Sequence, residues 1–129
     1  MIELSAKYVE QVDAPPLAPV EQVIDLAHLS RMTLGERSLE REVLELFDRQ
    51  AGMLLGRMRQ SPQAAAGAFA HTLKGSSLGI GAWRVARAAE AVEFAAAAGE
   101  AANVAAAVDL LAQAVDEAKF AIAELLRAH

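Results

Sequence analysis

The chain has 129 residues, 54% of them hydrophobic and 5% aromatic, with a formal net charge of -5 and no cysteine. That length suits one compact domain; the charge argues against a dedicated nucleic-acid binder, and the lack of cysteine excludes a disulfide framework, a thiolate zinc site and a cysteine nucleophile. Much of the hydrophobic fraction is alanine, the strongest helix former, while strand-favouring residues are scarce, so an all-α domain is expected.

Residues 1–20 read as an N-terminal arm or linker and residues 21–129 as the folded domain. Asp13 to Pro19 holds three of the four prolines, which break helices and favour extended backbone. No apolar run approaches the ~20 residues that span a bilayer. Met1 to Pro16 carries Glu3, Glu10 and Asp13 without an uninterrupted apolar stretch, unlike a secretory signal. A cytoplasmic protein without a membrane partner is the expectation. The initiating methionine and the fit of length to one domain favour a free-standing protein.

From Val23 the pattern turns helical. Val23, Leu26, Ala27 and Leu29 predict a short helix closed near Leu34-Gly35. A long helix follows over about Glu36 to Arg59, with an apolar stripe of Leu39, Val43, Leu46, Phe47, Met53, Leu54 and Met58. Ser61 as N-cap and Pro62 at the first helical position restart the chain. A third helix covers about Pro62 to Leu78, ended by Gly79 and Gly81. A fourth covers about Ala82 to Ala98, stopped by Gly99. The fifth, about Glu100 to Arg127, repeats Val104, Val108, Leu111, Val115, Ala118, Ile122 and Leu125 in steps of four and three, the seam of an antiparallel bundle. The predicted architecture is an antiparallel four-helix bundle with a short additional N-terminal helix.

On a wheel of ~100° per residue, His71 falls opposite Phe69, Leu73 and Ile80, which must face the core with Ala66, Ser76 and Ser77 beside them. The outward stripe around His71 holds Lys74, Gly75 and Leu78 above and Ala64, Gly67 and Ala68 below. Gly67 and Gly75 inside a helix each cost about 1 kcal/mol relative to alanine, a cost easier to understand where another surface approaches the backbone. On geometry alone, a plain surface histidine beside a helix-favouring lysine reads equally well.

The stretch His71-Thr72-Leu73-Lys74-Gly75-Ser76-Ser77, continuing through Leu78-Gly79-Ile80-Gly81-Ala82, resembles the signature of histidine phosphotransfer (HPt) domains of two-component phosphorelays. Upstream, Ile24-Asp25, Leu34-Gly35 and Glu42 to Phe47 are similar to the family's first helices. Downstream, Val92-Glu93 matches its hydrophobic-Glu pair and Ala98-Gly99-Glu100 its Gly-acidic turn. The similarity covers roughly Val23 to Leu126. Gly79 departs from the asparagine common in the family, which implies a different helix end; Val85 and Ala89 replace leucine and cysteine but stay small and apolar.

The resemblance implies that a ring nitrogen of His71 attacks the phosphorus of an aspartyl phosphate on a response-regulator receiver domain, then hands the group to a second receiver. Near neutral pH an imidazole offers a nitrogen lone pair for this. Phosphoryl transfer needs mainly in-line positioning and charge neutralisation; Lys74, one turn away, would offset phosphate charge and disfavour protonation of the imidazole. Ala64, Gly67, Ala68, Gly75, Leu78 and Gly79 would form the docking surface of a transient complex, with Arg84 and Arg87 either adding cationic contacts or serving as ordinary surface charges. The Ser76 and Ser77 hydroxyls are expected to bond to carbonyls of their own or a neighbouring helix. Mg2+ is expected in the partner receiver rather than here, on the ground that no carboxylate cluster lies near His71; no cofactor or metal of its own is expected.

His28, in the first helix without a matched partner, and terminal His129 carry little weight. Trp83 and Phe94 share one face of the fourth helix and could cover the bundle end, pack on the proline arm or form a dimer contact; the chain is otherwise expected to act as a monomer. The implied protein is a phosphoryl carrier rather than a kinase, since no Gly-rich phosphate loop ending in Lys-Ser/Thr is present; a hybrid sensor histidine kinase would be a further partner. The alternative is a non-catalytic helical adaptor that binds or sequesters a receiver. A dimeric kinase-like phosphotransferase would need a second domain.

Overall fold

The structure, a computed structural model, describes residues 19–128; the predicted arm at 1–18 and His129 lie outside the described residues. The described chain forms α1 (Val20–Val23), α2 (Leu26–Met32), α3 (Arg37–Gln60), α4 (Gln63–Ile80), α5 (Trp83–Ala98) and α6 (Ala101–Ala128). Helices α3 to α6 close into an antiparallel ring in which α4 packs between α3 and α5, and α6 between α5 and α3. Short α1 lies against α6, and α2 against α4. This is the predicted all-α four-helix bundle with added helix at its N-terminal side.

All four main helices bury residues in steps of three and four. On α3 these are Leu44, Phe47, Ala51, Leu54 and Met58; on α4, Ala66, Ala70, Leu73, Ser77 and Ile80; on α5, Val85, Ala89 and Val92; on α6, Val104, Val108, Leu111, Val115, Ala118 and Ile122. That repeat keeps each apolar stripe turned to its neighbours when helices cross at a shallow angle. Burying a leucine or valine side chain contributes roughly 1.5–3 kcal/mol, so these seams carry most of the fold's driving force. Ser77 is the polar residue within α4's seam, and its hydroxyl donates to the Leu73 carbonyl at 2.7 Å.

The α3 seam corrects the sequence reading. Leu46 and Met53 are 54% and 49% exposed, and Leu39 and Val43 are only half-buried. Alpha3 carries apolar residues on two stripes, and the one that meets the bundle runs through Leu44 and Ala51. Leu39, Leu46 and Met53, seven residues apart, fall on the flank away from it. Phe69 of α4 is half-buried rather than core, with the Arg57 guanidinium 6.0 Å from its ring centroid.

The helix ends differ from expectation in three places. The first helix begins at Val20, within the predicted arm, and breaks at Ile24-Asp25, where the Asp25 carboxylate accepts from the His28 amide at 3.0 Å and starts α2. Pro62 is itself the N-cap of α4, with no side-chain capping bond, so Ser61 does not cap it. Helix α4 runs through Gly79 and stops at Gly81, whose φ of 78° is left-handed; the Ala82 amide closes back on the Ser77 carbonyl at 2.9 Å. A side chain at Gly81 would also place Cβ 2.9 Å from Asp25 Cβ, where the Asp25 amide donates to the Gly81 carbonyl at 3.0 Å. Only glycine satisfies both the turn and this contact.

Alanines at 66 and 70 of α4 and at 86 and 89 of α5 are buried. Gly67 lets these helices approach further: a Cβ there would stand 3.1 Å from that of Ala96. Gly67 therefore has a reason inside the fold, whereas Gly75 faces open space.

Candidate functional site

The close approach of α4 and α5 brings α5 carboxylates within reach of the His71 helix. The His71 side chain is 71% exposed, and its Nδ1 lies 2.8 Å from Glu93 Oε2. The other oxygen of that carboxylate lies 2.8 Å from Lys74 Nζ, and Glu90 Oε2 approaches the same ammonium at 3.8 Å. Glu93 is thus the hub of the cluster. In sequence it shows only as half of a hydrophobic-Glu pair, and the expectation that no carboxylate cluster lies near His71 is corrected: two carboxylates stand there, committed to Lys74 and His71. Among the described residues no group of three or more His, Cys, Asp or Glu side chains is placed to hold a metal ion.

Partial burial opposes ionisation of Glu93, but the hydrogen bonds from Lys74 and His71 outweigh it and hold the carboxyl below its usual range. The same hydrogen bond raises the Lys74 ammonium above the usual lysine range. An ionised carboxylate only accepts, so the proton of the His71–Glu93 bond belongs to Nδ1. The lone pair then sits on Nε2, which has no protein partner among the described residues. Lys74 does not stand free beside the imidazole: its ammonium spends its closest contact on Glu93.

Two shallow troughs extend along the α4–α5 face on either side of this cluster. One, of about 330 Å³, is lined by Ala64, Gly67 and Ala68 with Glu93, Ala96 and Ala97. The other, of about 320 Å³, is lined by Lys74, Leu78, Trp83, Ala86, Arg87 and Glu90. The predicted surface residues are thereby brought together, except that Gly75 and Gly79 line neither trough, Gly75 being exposed and Gly79 half-buried. Leu78 is 45% exposed. Ser76 donates to Gln50 Oε1 of α3 at 2.8 Å.

Of the two arginines considered for this face, Arg84 turns away, its Nη1 3.1 and 3.0 Å from the two carboxylate oxygens of Glu117 on α6. His28 does have partners: its Nε2 hydrogen-bonds the Leu78 carbonyl at 3.0 Å and its ring meets the edge of Trp83, centroids 4.9 Å apart. The Trp83 indole N–H donates to Asp25 at 3.0 Å; the hydrogen bond from the His28 amide, and after it the one from the indole, lower the pKa of that carboxyl below its usual value. Trp83 thus packs against α2, while Phe94 on the same helix face stays 69% exposed.

The family model of the Hpt domain matches residues 37–121. The chain belongs to the Hpt family. Among solved structures, a rice protein assigned as a histidine-containing phosphotransfer protein superposes with a TM-score of 0.66 at 16% identity, over 97% of this chain and 89% of the rice chain. At that identity the likeness speaks for the fold. No match was found among curated proteins. As an Hpt domain the chain has a phosphotransfer role in phosphorelays, where such domains work with receiver domains and kinases. Among its described residues no helix is long and apolar enough to cross a membrane.

Proposed function

We propose that His71 is the phosphoryl-carrying residue of this Hpt domain, taking the group from the aspartyl phosphate of one receiver and passing it to the aspartate of another. The observation that carries this reading is the exposed imidazole whose Nδ1 is tied to Glu93, leaving the Nε2 lone pair to the solvent side.

In the forward step Nε2 bonds to phosphorus as the phosphorus–oxygen bond to the receiver aspartate breaks, its electron pair leaving with the carboxylate. Nδ1 keeps its proton, so the ring becomes cationic, and the Glu93 carboxylate at 2.8 Å balances that charge. In the second step another receiver carboxylate attacks phosphorus and the phosphorus–nitrogen pair returns to Nε2, restoring the neutral ring. No proton crosses the interface in either direction, which suits a reversible carrier. Lys74 keeps Glu93 ionised, and since an ammonium has three donors, a donor remains for a phosphoryl oxygen. The Mg2+ this chemistry uses comes with the receiver, since the carboxylates beside His71 are engaged by Lys74 and the imidazole.

Incubation with a phosphorylated receiver should place acid-labile, base-stable label on this chain, and His71→Gln should abolish it while leaving the helical signal unchanged. Label on the His71→Gln protein overturns the site; receiver binding without label on the wild-type chain favours the adaptor reading instead.

A further inference from the structure

The two troughs beside His71 differ in what they offer a partner. The one toward the start of α4 is walled by alanine, glycine and the Glu93 carboxylate and holds no cation. The one toward its end combines Leu78, the rim of Trp83 and the side chain of Arg87. Arg87 is exposed and, unlike Arg84, has no acidic partner among the described residues. The reasons lie in the local sequence and packing. The residues four before and four after it are Trp83 and Ala91, so on its own helix only the i+3 position, Glu90, offers a carboxylate within a turn. Glu90, one turn on, is drawn instead towards Lys74.

This end of the face is also braced. The His28 ring and the Asp25 carboxylate hold Trp83 from behind, the same imidazole takes the Leu78 carbonyl, and the Asp25 amide is tied to Gly81. A side chain docking between Leu78 and Trp83 would therefore meet a wall already fixed in place, which lowers the ordering cost of association.

We propose that Arg87 sets the orientation of the receiver on this face, by pairing with a carboxylate on the rim of the receiver's phosphorylation pocket while an apolar receiver side chain rests against Leu78 and Trp83. The inference rests on the reading of His71 as the phosphoryl carrier. A receiver that holds Mg2+ beside an aspartyl phosphate needs further oxygen ligands, carboxylates among them, around the reacting group. This chain is itself acidic, with a formal net charge of -5, so two such surfaces repel unless the contact offers a local cation. Near His71 the Lys74 charge is already matched by Glu93 and Glu90. Arg87 is the cation of that trough left to meet the partner, and its place at the Leu78 end fixes which way round the receiver sits.

The test measures initial transfer rates against receiver concentration, using the member of a panel of receiver domains, charged with acetyl phosphate and Mg2+, that transfers fastest to the wild-type chain. Arg87→Glu should raise KM about tenfold or more with kcat held, flatten the salt dependence of the rate, and leave helicity unchanged. Arg87→Lys should recover most of the loss, because it restores the charge. Unchanged KM in Arg87→Glu overturns the proposal, as does a fall in kcat at constant KM or a failure of lysine to rescue. His71→Gln run in the same series separates the two readings: label on that variant sinks the carrier assignment, whereas wild-type kinetics in Arg87→Glu sink the docking role alone.

Discussion

Between α3 and α6, Lys119 reaches the Asp48 carboxylate at 3.2 Å and Arg59 reaches Asp109 at 3.0 Å; between α4 and α5, Lys74 reaches Glu93 at 2.8 Å. The contacts are chemically alike, yet their surroundings separate them. The α3–α6 pairs bridge helices at the rim of large apolar seams and involve no other titratable group among the described residues. The α4–α5 pair sits on helices packed through alanine and glycine, and its carboxylate has a second oxygen that takes the Nδ1 proton of an exposed imidazole. Small side chains along one helix contact thus allow a short carboxylate to span it and reach a nucleophile; larger ones would hold the helices too far apart for the three groups to meet.

The sharpest way to test this difference is to neutralise one carboxylate on each side. Glu93→Gln keeps an acceptor for one neighbour but loses the charge that balances a cationic phosphoimidazole; carboxylates that orient metal-bound histidines in the same way are typically worth 10–100-fold. A loss of about that size in the rate of transfer onto His71 is expected. Asp48→Asn on the other side should leave transfer unchanged and shift stability by less than about 1 kcal/mol, as exposed ion pairs do. Equal effects of the two substitutions on single-turnover transfer would erase the distinction.

Stability should respond to Gly67→Val next. Valine would press against Ala96 across the α4–α5 contact, where even a Cβ comes within 3.1 Å, and overpacking of this kind costs typically 1–3 kcal/mol. Because separating the helices also pulls Glu93 from His71, transfer should slow together with the loss in denaturation midpoint. A variant that is destabilised but transfers normally would break the link between packing and site.

The four main helices, the α6 seam and the outward direction of His71 were legible in the sequence because each rests on local periodicity. The α3 seam was not, since that helix carries two apolar stripes and only its neighbours decide between Leu44 and Leu46. Glu93 was hidden for a different reason: it joins His71 through the pairing of two helices. That pairing nonetheless leaves a trace in the numbering. His71 and Glu93 stand eleven residues either side of Ala82, and Lys74 and Glu90 eight either side. An antiparallel hairpin turning at Gly81-Ala82 puts such positions level, so placing the turn correctly, instead of ending the helix at Gly79, brings the cluster into view. The engagement of His28 with Leu78 and Trp83 had no comparable signal, because it depends on where α2 comes to rest.

The pH dependence of stability supplies a smaller effect with a definite sign. Glu93 has a lowered value in the folded chain, so its contribution is complete above its ordinary 4.5 and disappears as pH falls through the lowered value. Lys74 has a raised value, so its contribution is complete below its ordinary 10.5 and disappears as pH rises through the raised one. The stability difference between wild type and Glu93→Gln should therefore be flat across neutral pH and shrink towards both extremes. Thermal midpoints of the two proteins, compared at acid, neutral and alkaline pH, check this; a difference that grows in acid contradicts it.

The smallest expected effect separates folding from docking at Gly75. Nothing lies within 4 Å of a Cβ built there, so the bundle gains nothing from the missing side chain and gives up helix propensity. Gly75→Ala should accordingly stabilise the chain, by up to about 1 kcal/mol, where Gly67→Val does the opposite. A glycine that the fold would exchange at a profit is explained by something that approaches from outside. The long Gly75→Gln side chain, also compatible with the helix, should then impede the receiver and slow transfer while the far-ultraviolet dichroism stays unchanged. If Gly75→Gln transferred as fast as wild type, the glycine would be without a role in docking, and the receiver's footprint would be confined to the side of His71 that faces α5.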